Sequence, residues 1–302
     1  MNFQNELDAR TKEAEEIVES FLPQKALHQQ TVIDAMEYSV LAGGKRLRPV
    51  MMYAAWQMCG GAGDIKPFMA AMEMIHTYSL VHDDLPEMDN DELRRGKPTT
   101  HVQYGQAMAV LAGDGLLNYA YETMLKGALA ADDKAAYIRA MELVAKKAGI
   151  YGMVGGQCLD VEAEEKELEL SEEQIKFVYE NKTAALLQAS LMCGALLAAD
   201  ERAAAVLEKA GYDLGIAFQL QDDILDIEST TAELGKPVGS DERNGKKTYV
   251  SYLGIEQARR EQERLSQEAV EMIDSIEIRD GSAKEAREFL KELIVSLCSR
   301  RK

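Results

Sequence analysis

Two crowded acidic segments set the terms on which this chain can fold. Asp83-Asp84-Leu85-Pro86-Glu87-Met88-Asp89 follows the largely apolar run Tyr78-Ser79-Leu80-Val81, and Asp222-Asp223-Ile224-Leu225-Asp226 follows Phe218-Gln219-Leu220-Gln221. Each places three aspartates where a helix is entering a core. Carboxylates packed so closely repel one another and are costly to bury alone, so a cation has to hold them together. Hard oxygen donors of this kind suit Mg²⁺, which takes one or two carboxylates and completes its shell with water and phosphate oxygens.

The two clusters differ in geometry. At about 100° per residue, Asp222 and Asp226 fall one turn apart on one helix face, with Asp223 beside them. Asp83 and Asp89 are six residues apart and fall on different faces of a straight helix, while Pro86 breaks the backbone ladder between them. Leu85 to Met88 is therefore expected to form a bulge at a helix end.

Helix formers dominate the remainder. The chain has six prolines among 302 residues, alanine-rich stretches at 107–112 and 203–205, and no sustained apolar alternation of period two. This pattern predicts an all-α fold, a large helical bundle. With no Pro/Gly/Ser-rich linker and no fixed-period repeat, residues 1–302 are expected to form a single domain. Helices are expected over Asn2 to Phe21, Thr31 to Leu41, Pro67 to Asp84, Gln103 to Ala130 and about Ala203 to Glu228.

A net charge of −18 disfavours nucleic acid or an anionic membrane surface as a partner, so a phosphate-bearing ligand must be met by local basic segments. No apolar run is long enough to span a bilayer, and membrane insertion is not expected. The N-terminal segment, with Glu6, Asp8, Glu13, Glu15 and Glu16, is too acidic for a targeting peptide. Cys59, Cys158, Cys193 and Cys298 lack metal-ligand spacing and read as thiols of a reducing compartment, so a cytoplasmic location is expected.

The basic segments are discrete. Gly43-Gly44-Lys45-Arg46-Leu47-Arg48-Pro49 puts glycines before a helix start, with Lys45 and Arg48 three residues apart on one face, a candidate anion site. His76 lies seven residues before Asp83, on nearly the same helix face and roughly 10 Å away along the axis. Arg94-Arg95-Gly96-Lys97 follows the first acidic cluster as a loop, and the arginine fork suits phosphate oxygens. Lys182-Thr183 stands between Asn181 and an apolar run, either facing inward or at a helix start reaching solvent. Gln157 and Asp160 share a helix face. Gly113-Asp114-Gly115 reads as a close helix contact without chemistry. Leu234 to Asp241 and Gly245-Lys246-Lys247-Thr248 have the composition of a closing loop. Fifteen methionines read as helix packing that also adapts to a flexible hydrocarbon.

In this order and over most of the chain, these segments resemble the signature set of the trans-isoprenyl diphosphate synthases. Within that family the resemblance is to the bacterial farnesyl-forming branch, through the Leu85-Pro86 expansion and Tyr78 five residues before the first motif. The resemblance implies a helical bundle around a central cavity (isoprenoid synthase type), a homodimer, and roughly three Mg²⁺ ions held with diphosphate oxygens. It implies that Asp83, Asp84, Asp89 and Asp222 serve the metal, with Asp223 and Asp226 assisting. It further implies that Arg94, Lys182, Lys236 and Lys246 bind the diphosphate of an allylic substrate. Gly44, Lys45, Arg48, His76 and Arg95 would then bind isopentenyl diphosphate, and Lys182, Thr183 and Gln219 would steady an allylic cation. Tyr78 is implied as the floor that stops chain growth, although helical angle alone places Ser79 on the face of Asp83. Ala184, where glycine is common, and the ending from Ser296 depart from the pattern. Geranyl- or geranylgeranyl-forming enzymes share every charged residue, while a terpene cyclase would have no use for the second cationic segment. A non-catalytic partner subunit is disfavoured by the intact acidic motifs.

Overall fold

The computed structural model describes residues 2–228, 248–278 and 280–300, and these are all-helical apart from one two-residue ribbon. The chain divides into two compact units, Met1–Tyr53 with Ala62–Met141, and Ala54–Gly61 with Glu142–Lys302.

The first unit contains α1 (Phe3–Ser20), α2 (Gln30–Val40), the beginning of α3 (Leu47–Met58), α4 (Lys66–Asp83), the ribbon β1 (Leu93–Arg94) with β2 (Lys97–Pro98), α5 (Thr100–Tyr104), α6 (Gln106–Ala130) and the start of α7 (Lys134–Ala148). Phe68, Met69, Ala70, Ala71, Met72, Met74 and Ile75 are all buried, so these turns of α4 are enclosed on every side. A helix of that kind belongs among its neighbours rather than at a surface, and α4 packs against α1, α2 and α6. Glycine lets α6 approach closely. A β-carbon at Gly113 would lie 2.1 Å from His82 Nε2, and one at Gly115 would lie 2.9 Å from Met36 Sδ on α2. The expectation that Gly113-Asp114-Gly115 serves close packing is met. The expected helix over Gln103 to Ala130 is instead divided by Gly105, whose φ of 86° lies in the left-handed region that glycine tolerates.

The second unit contains α8 (Met153–Glu165), α9 (Glu172–Val178), a π-helical turn (Tyr179–Ala184), α10 (Ala185–Leu197), α11 (Glu201–Glu228), α12 (Tyr249–Leu253), α13 (Ile255–Asp274) and α14 (Gly281–Cys298). The start of α9 is fixed by a capping box between Ser171 and Gln174, which satisfies otherwise orphaned backbone donors. Helix α10 is buried over nearly its whole length, and α11 packs against both α10 and α13. The buried positions Ala258, Leu265, Ala269 and Ile273 form one helical stripe of α13. Among the described residues, no helix is long and apolar enough to cross a membrane. Lys236, Lys246 and the glycine- and lysine-rich connection that carries them lie outside the described residues.

Candidate functional site

In the first unit, α4 ends at Asp83, and the chain turns sharply through the expected bulge. The Asp89 N–H donates to the Asp83 carbonyl at 2.8 Å, and those of Met88 and Asn90 donate to the Leu85 carbonyl at 2.9 and 3.0 Å. This return brings Asp89 back beside Asp83, which a straight helix could not do. Asp84 is buried. Its carboxylate accepts from Arg94 Nε at 2.8 and 3.0 Å and from Arg94 Nη2 at 2.6 Å. Burial raises the Asp84 carboxyl pKa, and the Arg94 guanidinium opposes that rise.

Arg94 is delivered by a two-residue hairpin rather than the loop expected from sequence. Arg95 and Gly96 have φ of 55° and 76°, and a tight hairpin with both central residues at positive φ matches the right-handed twist of the flanking strands. The turn sends Arg95 to a different place from Arg94. A β-carbon at Gly44 would sit 2.6 Å from Arg95 Nη1, so glycine there makes room for the guanidinium.

Around this contact lies a concentration of positive charge. Arg48 at the start of α3 is pushed down to about 10, first by burial, with Arg95 adding to the fall and Glu73 opposing it. His76 is held well below its ordinary value by burial and then by Arg48, Arg95, Arg94 and Arg46, so its imidazole is neutral near pH 7. Among the described residues, Arg48 Nε is buried without a hydrogen-bond partner. An orphaned guanidinium donor in a cationic pocket fits an anion with several acceptor oxygens, which is the chemistry of a diphosphate. Lys45 is exposed at the edge of this segment.

Tyr78 is buried on α4 and meets the His82 ring edge-on, with centroids 5.8 Å apart. Burial pushes its hydroxyl up to about 12. Ser79 turns its hydroxyl back to the His76 carbonyl at 2.9 Å.

In the second unit, Lys182 and Thr183 lie in the π-helical turn in the middle of a continuous helical run, not at a helix start. Single π-turns are rare and locally widen the helix. A β-carbon at Gly156 would lie 2.3 Å from the Lys182 backbone nitrogen, and one at Gly215 would lie 2.1 Å from Ala184 Cβ. Gly156 and Gly215 thus admit the widened turn between α8 and α11. Lys182 Nζ donates to Asp160 on α8 at 2.6 Å, and Thr183 donates to Gln219 Oε1 on α11 at 2.9 Å. Gln219 Nε2 in turn donates to Asp223 at 3.1 Å. Asp223 also accepts from the Tyr179 hydroxyl, whose oxygen receives the Tyr249 N–H at 3.0 Å.

Asp223 and Asp226 are buried, whereas Asp222 is partly open and pairs with Arg300. Arg300 lies over the Phe218 ring at 3.9 Å, and its carbonyl accepts from Gln221 at 2.8 Å. Among the described residues, no three Asp, Glu, His or Cys side chains converge on a ready-made ion cage. Oxygen donors offered in ones and twos fit Mg²⁺, which dehydrates reluctantly and draws its other ligands from phosphate and water.

The sequence assigned no role to Arg46, although it lies within the basic segment at 43–49, nor to Glu73, Tyr179 or Arg300 of the basic C-terminal end. Two of them carried a signal: Glu73 is a charge inside an apolar helical run, and Tyr179 precedes Thr183 by one turn.

The model of the polyprenyl synthetase family matches residues 29–287. The farnesyl diphosphate synthase of Escherichia coli K12 is 41% identical, with the match covering 95% of this chain and 97% of that protein. The geranylgeranyl diphosphate synthase of Cyanophora paradoxa is 43% identical over 80% of this chain and 81% of its own. Among solved structures, a Helicobacter pylori geranyltransferase complexed with magnesium and isoprenyl diphosphate superimposes with a TM-score of 0.79 at 30% identity, covering 98% of this chain and 96% of that one.

Proposed function

Because the chain belongs to the polyprenyl synthetase family, we propose that it condenses isopentenyl diphosphate with an allylic diphosphate, dimethylallyl or geranyl, to give farnesyl diphosphate and pyrophosphate. The observation that carries this reading is the pairing, within one unit, of an acidic turn at Asp83 and Asp89 with a separate cationic pocket whose Arg48 Nε lacks a hydrogen-bond partner among the described residues. One diphosphate alone needs only one of these.

In this reading Asp83 and Asp89, and Asp222 on α11, supply oxygens to magnesium, with Asp84 holding Arg94 in place. Bound magnesium offsets the charge that develops on the departing pyrophosphate. Arg94 and Lys182 are each assigned by resemblance to the allylic diphosphate, where fixed positive charge favours its departure. The allylic C–O bond breaks, and the linked dipoles of Thr183 and Gln219 are assigned to steady the resulting cation. Gly44, Lys45, Arg48, His76 and Arg95 orient isopentenyl diphosphate so that its double bond attacks. The proton lost afterwards is assigned to pyrophosphate, the base that ionisation releases. Lys236 and Lys246 are assigned to the allylic side by resemblance alone.

The buried Tyr78 favours a C15 product over the longer one named for the Cyanophora relative. A cytoplasmic homodimer completes the reading. Leu125 and Leu129 are exposed one turn apart near the end of α6, an apolar edge that a second copy would cover.

Purified protein incubated with Mg²⁺, isopentenyl diphosphate and geranyl diphosphate should yield a C15 diphosphate by mass spectrometry. A C20 product would reassign the chain length, and absence of any isopentenyl-dependent product would overturn the reaction itself. Sedimentation equilibrium tests the dimer.

A further inference from the structure

One guanidinium in the cationic segment plays a different part from the others. Arg46 is 4% exposed and adopts a φ of 47°, a left-handed conformation that non-glycine residues rarely take unless the surroundings enforce it. Its Nη1 donates to Glu73 Oε1 at 2.8 Å, and its Nη2 donates to the Val40 carbonyl at 2.7 Å. Its Nε stands 3.6 Å from Glu15. Val40 closes α2 and Glu73 lies within α4. A single side chain therefore ties the loop at 43–46 to two helices.

That loop follows an irregular path. Gly43, Gly44 and Arg46 all have positive φ, so it cannot be held by a regular helical ladder. Lys45 and Arg48 flank Arg46 in sequence, and His76 follows Glu73 by one turn of α4, which sets both on one face. The groups assigned to isopentenyl diphosphate thus lie beside a pair joined through Arg46 Nη1 and Glu73 Oε1, while Arg46 Nη2 is taken by the Val40 carbonyl and Nε, without a hydrogen-bond partner among the described residues, faces Glu15.

We infer that the buried Arg46–Glu73 ion pair positions the isopentenyl diphosphate site, fixing the 43–46 loop so that Lys45, Arg48 and His76 present together, without itself touching the substrate. This rests on the reading of the cationic pocket given above. The pair also has an electrostatic task. Arg46, Arg48, Arg94 and Arg95 all act on His76, and guanidiniums at such quarters repel. The Glu73 carboxylate favours the charged form of both Arg48 and Arg95, offsetting that repulsion before substrate arrives.

The test separates positioning from simple stabilisation. A buried ion pair can often be replaced by apolar residues of similar volume without loss of stability, whereas removing one partner strands a charge. In the full-length protein with Mg²⁺ and saturating geranyl diphosphate, Glu73→Gln and Arg46→Lys should raise the KM for isopentenyl diphosphate about tenfold or more. The KM for geranyl diphosphate should stay within about twofold, because only one substrate's contacts move. The double variant Arg46→Met/Glu73→Met should recover the thermal midpoint while keeping the raised KM. Calorimetric titration with isopentenyl diphosphate alone should show its Kd rising in parallel.

If the double variant recovers both midpoint and KM, or if all three variants lose midpoint with KM and Kd unchanged, the pair is structural only and the inference is overturned. A wild-type protein that makes no isopentenyl-dependent product would instead remove the reading beneath it.

Discussion

Thr183 and Gln219 are joined by a 2.9 Å hydrogen bond between the π-helical turn and α11, and Gln219 passes its amide N–H on to Asp223. The hydroxyl and the amide are thereby held in one orientation before any substrate binds, which is the condition for a dipole to act without reorganising. Thr183→Val keeps the shape and removes the dipole. It should lower kcat on the order of a hundredfold with little change in the KM for isopentenyl diphosphate. Gln219→Leu should do the same, and the double variant should be no worse than either single one because the two act as a unit. Steady-state kinetics on the three variants is the check, and additive losses would separate the two residues.

Tyr78 should control product length. It is buried on α4 with its ring against His82, and five residues of helix before Asp83 correspond to roughly 7.5 Å of depth. Tyr78→Ala opens space at that depth and should extend products beyond C15, as read by chromatography of the dephosphorylated alcohols. Stability should fall by about 3 kcal/mol, the usual cost of truncating a buried aromatic. An unchanged product in a folded variant would remove Tyr78 from this role.

Asp213 gives stability a pH dependence of definite sign. It is buried on α11, and burial, followed by the repulsive Glu268, pushes its carboxyl up to about 6, with Arg264 working against the rise. A folded-state pKa above the unfolded one means that the folded protein holds the proton more tightly. The associated stability is present below about pH 4 and is lost as pH rises through about 6. Asp213→Asn should therefore stabilise the protein at pH 7 by about 1–3 kcal/mol. It should flatten the slope of urea-unfolding stability between about pH 4 and 6.5.

Arg300 should compete with metal at Asp222. Its guanidinium pairs with that carboxylate while lying over Phe218, so a cation arriving at Asp222 has to displace it. A partly open pair of this kind is worth about 1 kcal/mol at most. Arg300→Ala should therefore lower the half-saturating Mg²⁺ concentration by up to about fivefold. Manganese binding followed by electron paramagnetic resonance, with inorganic pyrophosphate present, reads this apart from turnover. Weaker metal binding in the variant would contradict the competition.

What was legible in the sequence was whatever local periodicity and punctuation decide. Apolar spacing and flanking Pro or Gly place α1, α2, α4 and α11 within a residue or two of their ends, and Pro86 correctly signals the turn that returns Asp89 to Asp83. The Arg95-Gly96 hairpin was readable in principle, since Gly at the second central position favours such a turn. The π-helical turn was not, because nothing in Asn181-Lys182-Thr183 demands it; its room comes from Gly156 and Gly215, far away in sequence. The pairing of Arg300 with Asp222 likewise joins residues 78 positions apart, a distance at which one sequence carries no pattern.

That dependence on remote glycines supplies the last prediction. Gly156 lies on α8, and the atom nearest a β-carbon there is the Lys182 backbone nitrogen at 2.3 Å, followed by the Asn181 carbonyl carbon at 2.8 Å. Backbone cannot swing aside as a flexible side chain can, so Gly156→Ala has to push the turn bodily away from α8. Overpacking of this sort typically costs 1–3 kcal/mol, here about 2. The displacement should also strain the 2.6 Å contact of Lys182 with Asp160. The variant should show a raised KM for geranyl diphosphate, whose diphosphate Lys182 is assigned to bind, and a lowered kcat through Thr183. The KM for isopentenyl diphosphate should hardly move, because its cationic pocket is built from other segments. Kinetics with each substrate varied in turn is decisive: equal loss on both would mean that Gly156 acts on folding as a whole, and no loss would mean that the turn tolerates displacement.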